Sequence, residues 1–145
     1  MVHLGLVREE LTHSVIGAFY EVYNTLGFGF LERIHVAALE RELLARGHRV
    51  GREIGVIVMY KGEALGFQRL DMIVDDILVV EIKSTCELHK GATRQVYNYL
   101  RATHLEIGLL LHFGPEPKIR RLIHRNSTAH PHDPSNPPDP VVPSA

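Results

Sequence analysis

Asp71, Glu81 and Lys83 are two carboxylates and an ammonium spaced so that they can share one face of a hairpin. They lie within FQRLDMIVDDILVVEIKS, residues 67 to 84, a stretch otherwise apolar enough to run through the centre of a fold. Burying an ionised group costs several kcal/mol unless it is paired or holds a metal, so three charges in such a place point to chemistry. Side chains alternate across a strand. Leu70, Met72 and Val74 are therefore expected on one face with Leu78, Val80 and Ile82, and Asp71 and Ile73 on the other with Val79, Glu81 and Lys83.

The turn decides whether the carboxylates meet. A two-residue loop, Asp75-Asp76, would set Asp71 against Val80, whereas a three-residue loop, Asp75 to Ile77, sets it against Glu81. A slip of one residue moves every side chain to the other face. The odd loop, or an equivalent bulge, is the expectation.

Two carboxylates on one face can hold a divalent cation through hard oxygen ligands, with the backbone carbonyl of Ile82 as a third, and Mg²⁺ or Mn²⁺ suits such a set. A cation of this kind lowers the pKa of a bound water and offsets charge developing on a phosphate. Lys83, two residues beyond Glu81, falls on the same face, where it can orient the water or stabilise the transition state. The alternative is a buried carboxylate–lysine pair that only neutralises itself.

The elements that must position these groups follow from periodicity. Leu11, Val15, Phe19, Val22, Tyr23 and Leu26 predict a helix over residues 6 to 26, with Thr12 or Ser14 near its start and Gly27 and Gly29 after it. Residues 31 to 45 predict a second helix stopped by Gly47. There Glu32 lies within about 40° of Val36, Leu39 and Leu43 on a helical projection and so points toward the body of the protein. His35 follows one turn on. Glu32 is also explained as a first-turn acid favouring the helix dipole, and His35 as a boundary residue.

Residues 53 to 60, 64 to 74 and 77 to 84 predict a three-stranded antiparallel meander. A third helix over residues 90 to 102 projects Gln95 and Tyr99 from one side, which taken alone is better explained by a packed Tyr beside a surface Gln. Residues 105 to 113 read as a buried strand and 118 to 124 as an edge strand. The order ααβββαββ makes an α/β, mixed α+β fold: a central mixed sheet with an antiparallel β-meander, flanked by helices.

The 145 residues, 45% of them hydrophobic, suit one domain with a real core. A net charge of −1 carries no strongly basic signature, so nucleic-acid binding must be local or metal-assisted. The single cysteine, Cys86, excludes an internal disulfide and a multi-cysteine metal site from this chain alone. No signal-peptide pattern or long apolar run is present, so a cytoplasmic protein with no membrane partner is expected. Residues 1–125 read as the folded domain. Residues 126–145 hold six of the eight prolines and read as a disordered tail, whose His130 and His132 receive no role.

Asp71 with Glu81-Ile82-Lys83 resembles the signature of the PD-(D/E)XK nuclease superfamily, an Asp near a strand end followed by Glu-x-Lys on the next strand. Gln95-x-x-x-Tyr99 resembles the added motif of its RecB-like branch, and Gly29-Phe30-Leu31-Glu32-Arg33-Ile34-His35 the signature of the GxxExxY family of small PD-(D/E)XK-like proteins. Ile16-Gly17, Lys61-Gly62, Arg69-Leu70-Asp71, Asn98-Tyr99-Leu100 and Gly108-Leu109-Leu110 extend the likeness over residues 5 to 124. Two positions depart from it: His35 stands where the family signature has Tyr, and Leu70 where the superfamily name has Pro.

The resemblance implies a restriction-endonuclease-like core and Mg²⁺- or Mn²⁺-dependent hydrolysis of nucleic acid, DNA before RNA. Asp71, Glu81 and the Ile82 carbonyl would hold the metal, with Glu32 or His35 as an added ligand. Glu32, Asp71, Glu81 and Lys83 would be the catalytic set, and Gln95 and Tyr99 would position substrate. Two other readings stand beside it. One is an inactive nuclease-fold module binding phosphates through Lys90, Arg94, Arg101, Lys118, Arg120 and Arg121. The other is a protein-interaction subunit or homodimer without a nucleic-acid role.

Overall fold

The computed structural model describes residues 2 to 125, so the expected tail lies outside the described residues. Helices α1 (Val2–Leu26) and α2 (Glu32–Ala45) precede strands β1 (Val50–Tyr60), β2 (Glu63–Val74) and β3 (Leu78–Lys83); α3 (Gly91–Thr103), β4 (Ile107–Phe113) and β5 (Pro117–Ile123) complete the predicted order. Thr12 does not start α1. It lies mid-helix, where its hydroxyl donates to the Arg8 carbonyl at 2.7 Å. Gly27, at φ +70°, takes the left-handed conformation that ends this helix and turns the chain toward α2.

The strands form one sheet in sequence order. All neighbours are antiparallel except β3 and β4, which run parallel and are joined through α3. On one side, Val15 and Phe19 of α1 and Leu39 and Leu43 of α2 bury against Met72, Val80, Ile82 and Leu111. On the other, Val96, Tyr99 and Leu100 of α3 cover Val79 and Leu110. A sheet covered on both faces explains why β3 and β4 read as continuous apolar runs. Gly108 lets α3 come close, because a Cβ at that position would meet Val96 Cγ1 at 2.7 Å.

The β2–β3 turn has the odd register. Asp75 and Asp76 are both left-handed, at φ 53° and 58°, and the Ile77 N–H donates to the Val74 carbonyl at 3.1 Å, the pattern of a type I′ turn. Ile77 is then an extra residue, and the first pair is Val74 with Leu78, followed by Ile73 with Val79 and Met72 with Val80. The same register continued places Asp71 opposite Glu81.

One expectation is corrected. Leu70 does not share the face of Met72 and Val74; it joins Val79, Tyr99 and Leu100 beneath α3. The cause lies in the neighbouring strand. Arg52 pairs with Met72 and Ile54 with Leu70, but Glu53 between them has φ 52° and breaks the pleat. Both strands exchange faces at this level, so Ile54 and Leu70 turn together toward α3. Asp71 occupies the switch point.

Candidate active site

The β2–β3 ladder ends at Met72 and Val80. One residue further on, carboxylate oxygens take the place of backbone acceptors. The Asp71 N–H donates to Glu81 Oε1 at 2.7 Å, and the Ile82 N–H donates to Asp71 Oδ2 at 2.8 Å. Each carboxylate thus uses one oxygen to bind the other strand. The second oxygens, Asp71 Oδ1 and Glu81 Oε2, make no hydrogen bond among the described residues. A residue's N–H and C=O leave a strand on the same edge, so the Ile82 carbonyl points, like its N–H, toward the side of Asp71.

This arrangement holds protons. Glu81 is buried, 3% exposed. Burial, reinforced by the Asp71 carboxylate, pushes its pKa up to about 8 against the opposing effects of the Asp71 N–H and Lys83. Asp71 is raised by burial as well, opposed by the Ile82 N–H and by the charges of Lys83 and Arg52. Two carboxylates in so small a volume disfavour joint ionisation.

Glu32 stands at the first turn of α2 and is exposed rather than enclosed by the apolar stripe. It nonetheless belongs to the group. Partial desolvation and the Asp71 charge raise its pKa, while Lys83 lowers it. Lys83 is half-buried and makes no ion pair within 4 Å among the described residues. That argues against the simple self-neutralised pair, because the ammonium stands near three carboxylates without closing on any of them.

Gln95 and Tyr99 meet this group from α3. Gln95 Nε2 donates to Tyr99 Oη at 3.0 Å, and the Tyr99 hydroxyl donates to the Arg69 carbonyl at 3.2 Å, two residues before Asp71. Burial, followed by the Glu81 charge, pushes the Tyr99 phenol up to about 12, so it remains a donor. Gln95 and Lys83 line a cleft of about 560 Å³ between α3 and the connection following β3.

His35 goes elsewhere. It is fully buried, stacked on Phe113 with ring centroids 4.1 Å apart. Its Nε2 lies 2.9 Å from the Gly27 carbonyl and its Nδ1 2.7 Å from Ser84 Oγ. A carbonyl only accepts, so Nε2 carries the proton and Nδ1 accepts from the serine hydroxyl. Burial lowers its pKa, opposed by the Gly27 bond. With both nitrogens engaged it has none for a metal, and it ties α2 to the end of β3 instead.

Two further residues matter that the sequence did not single out. Arg52, paired with Glu40 at 3.1 Å, lends positive charge to Asp71. His112 is buried beside Lys83 in the β3–β4 register, and its Nε2 lies 2.6 Å from the Thr85 carbonyl, holding down the connection that walls the cleft. A histidine within the apolar run LLLHF carries no periodic signal. Only the partner strand reveals its place.

Asp71, Glu81 and the Ile82 carbonyl present hard oxygens, two carboxylates and a carbonyl. Among the described residues, no three His, Cys, Asp or Glu side chains are grouped to hold a metal ion. A cation that retains several waters and takes one or two protein carboxylates, as Mg²⁺ does, fits this set; a four-ligand structural zinc does not.

A family model described as the PD-(D/E)XK nuclease superfamily matches residues 9–125. The chain belongs to that superfamily. Its members are generally dependent on divalent metal, and they act on nucleic acid. No curated protein matches the chain. Among solved structures, the crystal structure of SSO0001 is similar, with a TM-score of 0.52 and 21% identity over 64% of this chain and 50% of that one. The chain thus spans about half the length of that structure. At this identity the likeness concerns the fold alone. No helix among the described residues is long and apolar enough to cross a membrane.

Proposed function

We propose that this chain is a Mg²⁺- or Mn²⁺-dependent nuclease of the GxxExxY type, hydrolysing phosphodiester bonds with DNA as its expected substrate. The observation that carries the reading is the crossed hydrogen bonding of Asp71 and Glu81 at the point where β2 and β3 part, with Lys83, in no ion pair among the described residues, two residues on. A fold that needed only a neutral core would place apolar residues there. Here the protein bears the cost of burial and leaves one oxygen of each carboxylate without a hydrogen bond among the described residues.

Asp71, Glu81 and the Ile82 carbonyl are the residues that would hold the cation, and Glu32 would add negative charge near them. When bound, the cation supplies Lewis acidity to the phosphate and acidity to a water. Lys83 would supply an ammonium to orient the attacking water or to offset charge developing on the phosphate. Gln95 and Tyr99 keep α3 and the Arg69–Asp71 backbone in fixed relation, and Gln95 offers its amide to substrate in the cleft.

Cleavage of single- and double-stranded DNA in Mn²⁺ by the wild type and by Asp71→Ala tests the reading. Loss of cleavage in the variant supports it. Equal activity in both sinks it, and salt-dependent binding without metal uptake or turnover would favour an inactive binding module.

A further inference from the structure

The sheet register places a pair of cations on the β5 edge in line with the carboxylate site. Lys83 pairs with His112 of β4, which in turn pairs with Lys118 of β5. Glu81 likewise pairs with Leu110, and Leu110 with Arg120. Side chains directly across neighbouring strands project on the same face, so Lys118 and Arg120 stand on the face of Lys83 and Glu81. Two strand spacings separate the rows, on the order of 10 Å.

Leu110, between the rows, is covered by α3, so the surface path between them passes around that helix. The cleft containing Lys83 and Arg94 and a second one of about 440 Å³ containing Lys90, Lys118 and Arg120 share Glu87 and His89 as lining residues. The two clefts, together the groove, adjoin at Glu87 and His89, just before α3, and lead from Lys83 to the sheet edge. Five cations line it against one carboxylate, Glu87. Its wall is held by the His112–Thr85 bond at 2.6 Å and by the Thr85 hydroxyl, which donates to the Glu87 carbonyl at 2.6 Å. Arg121, one residue from Arg120, pairs with Leu109 and falls on the α1 side. The basic residues of β5 are thus divided between two faces, and only Lys118 and Arg120 serve the groove.

We propose that a nucleic-acid strand engaged at Asp71 and Glu81 continues through this groove, and that Lys118 and Arg120 hold its phosphodiester backbone beyond the scissile bond. The inference rests on the nuclease reading of the site. A row of cations continuous with the reacting centre matches an evenly charged polymer, and such contacts set affinity and register without reading sequence.

The test measures binding in EDTA, without turnover, by fluorescence anisotropy of single strands of about 20 nucleotides, longer than a groove of this size occupies. DNA and RNA versions distinguish the two sources of the same backbone. Lys118→Glu/Arg120→Glu is expected to weaken binding roughly tenfold or more and to lower the slope of log affinity against log salt by about 1.4, two phosphate contacts' worth. The control, Arg41→Glu/Lys61→Glu, makes the same charge change at exposed positions outside the groove and should leave the slope unchanged. Lys118→Gln/Arg120→Gln gives the same readout should the reversal disturb folding. Wild-type affinity in the β5 variants, or equal loss in the control, overturns the groove. Binding in EDTA involves no turnover, so failure of cleavage by Asp71→Ala and failure of the groove are read separately.

Discussion

The Asp71 N–H and Glu81 Oε1 lie 2.7 Å apart, and Asp71 Oδ2 returns the contact by accepting from the Ile82 N–H at 2.8 Å. The two acids are joined through each other's backbones while their charges remain in competition. Without metal, the site accommodates them by holding a proton.

That proton makes stability depend on pH. Folded Glu81 titrates near 8 rather than at its ordinary 4.5. Its contribution is full below 4.5, where both states are protonated, and is lost as pH rises through 8, since the unfolded chain has already released the proton. Asp75 acts in the other direction and at lower pH. Despite partial burial, bonds from the Arg49 N–H and His48 hold it below the usual carboxylate range. Between pH 5 and 8.5, thermal melts in EDTA should therefore show the Tm falling by several degrees, with Glu81→Gln flattening the curve. A Tm that rises over this interval would contradict the assignment.

His35 should behave as a structural residue. His35→Ala removes the Gly27 and Ser84 bonds and the stacking on Phe113, and should cost roughly 2–4 kcal/mol in denaturant unfolding. At temperatures where the variant stays folded, Mn²⁺ affinity should change little. A stable variant with lost metal binding would return His35 to the site.

Glu32 should act through charge at a distance. Glu32→Gln is expected to weaken Mn²⁺ binding by about tenfold, the range for groups just outside a metal's ligands, without loss of stability, because the residue is exposed. Unchanged affinity would confine Glu32 to a role in the first turn of α2.

Gly108 sets the distance of α3 from the sheet. Gly108→Ala would drive its Cβ into Val96 and toward Leu100, and a loss of roughly 1–3 kcal/mol is expected from overpacking. Because Gln95 and Tyr99 ride on the same helix, activity should fall along with Tm. An undiminished Tm would show that α3 can give way there.

Much of this architecture was legible because charge and pleat constrain each other. Three charges on one face required an odd turn, and Asp75-Asp76-Ile77 supplies it. Leu70 was misplaced because strict alternation takes no account of a break in the adjacent strand, and nothing in the sequence marks Glu53 as left-handed. His35 and His112 were obscure for another reason. Their roles depend on what their nitrogens meet, the Gly27 carbonyl and Ser84 for one and the Thr85 carbonyl for the other, and such partners are distant in sequence. Helical projection pointed Glu32 inward, but at an exposed first turn it reaches the site through its charge rather than through burial.

The central claim, that Asp71 and Glu81 form a site for a divalent cation, is tested most directly by calorimetric titration with Mn²⁺ near pH 7 in two buffers of different ionisation enthalpy. Glu81 retains a proton below about 8, and a cation entering the pair must displace it. Binding of Mn²⁺ by the wild type with release of about one proton, abolished in Asp71→Ala and in Glu81→Ala, is the predicted result. Absence of Mn²⁺ binding, or binding that survives both substitutions, would contradict it.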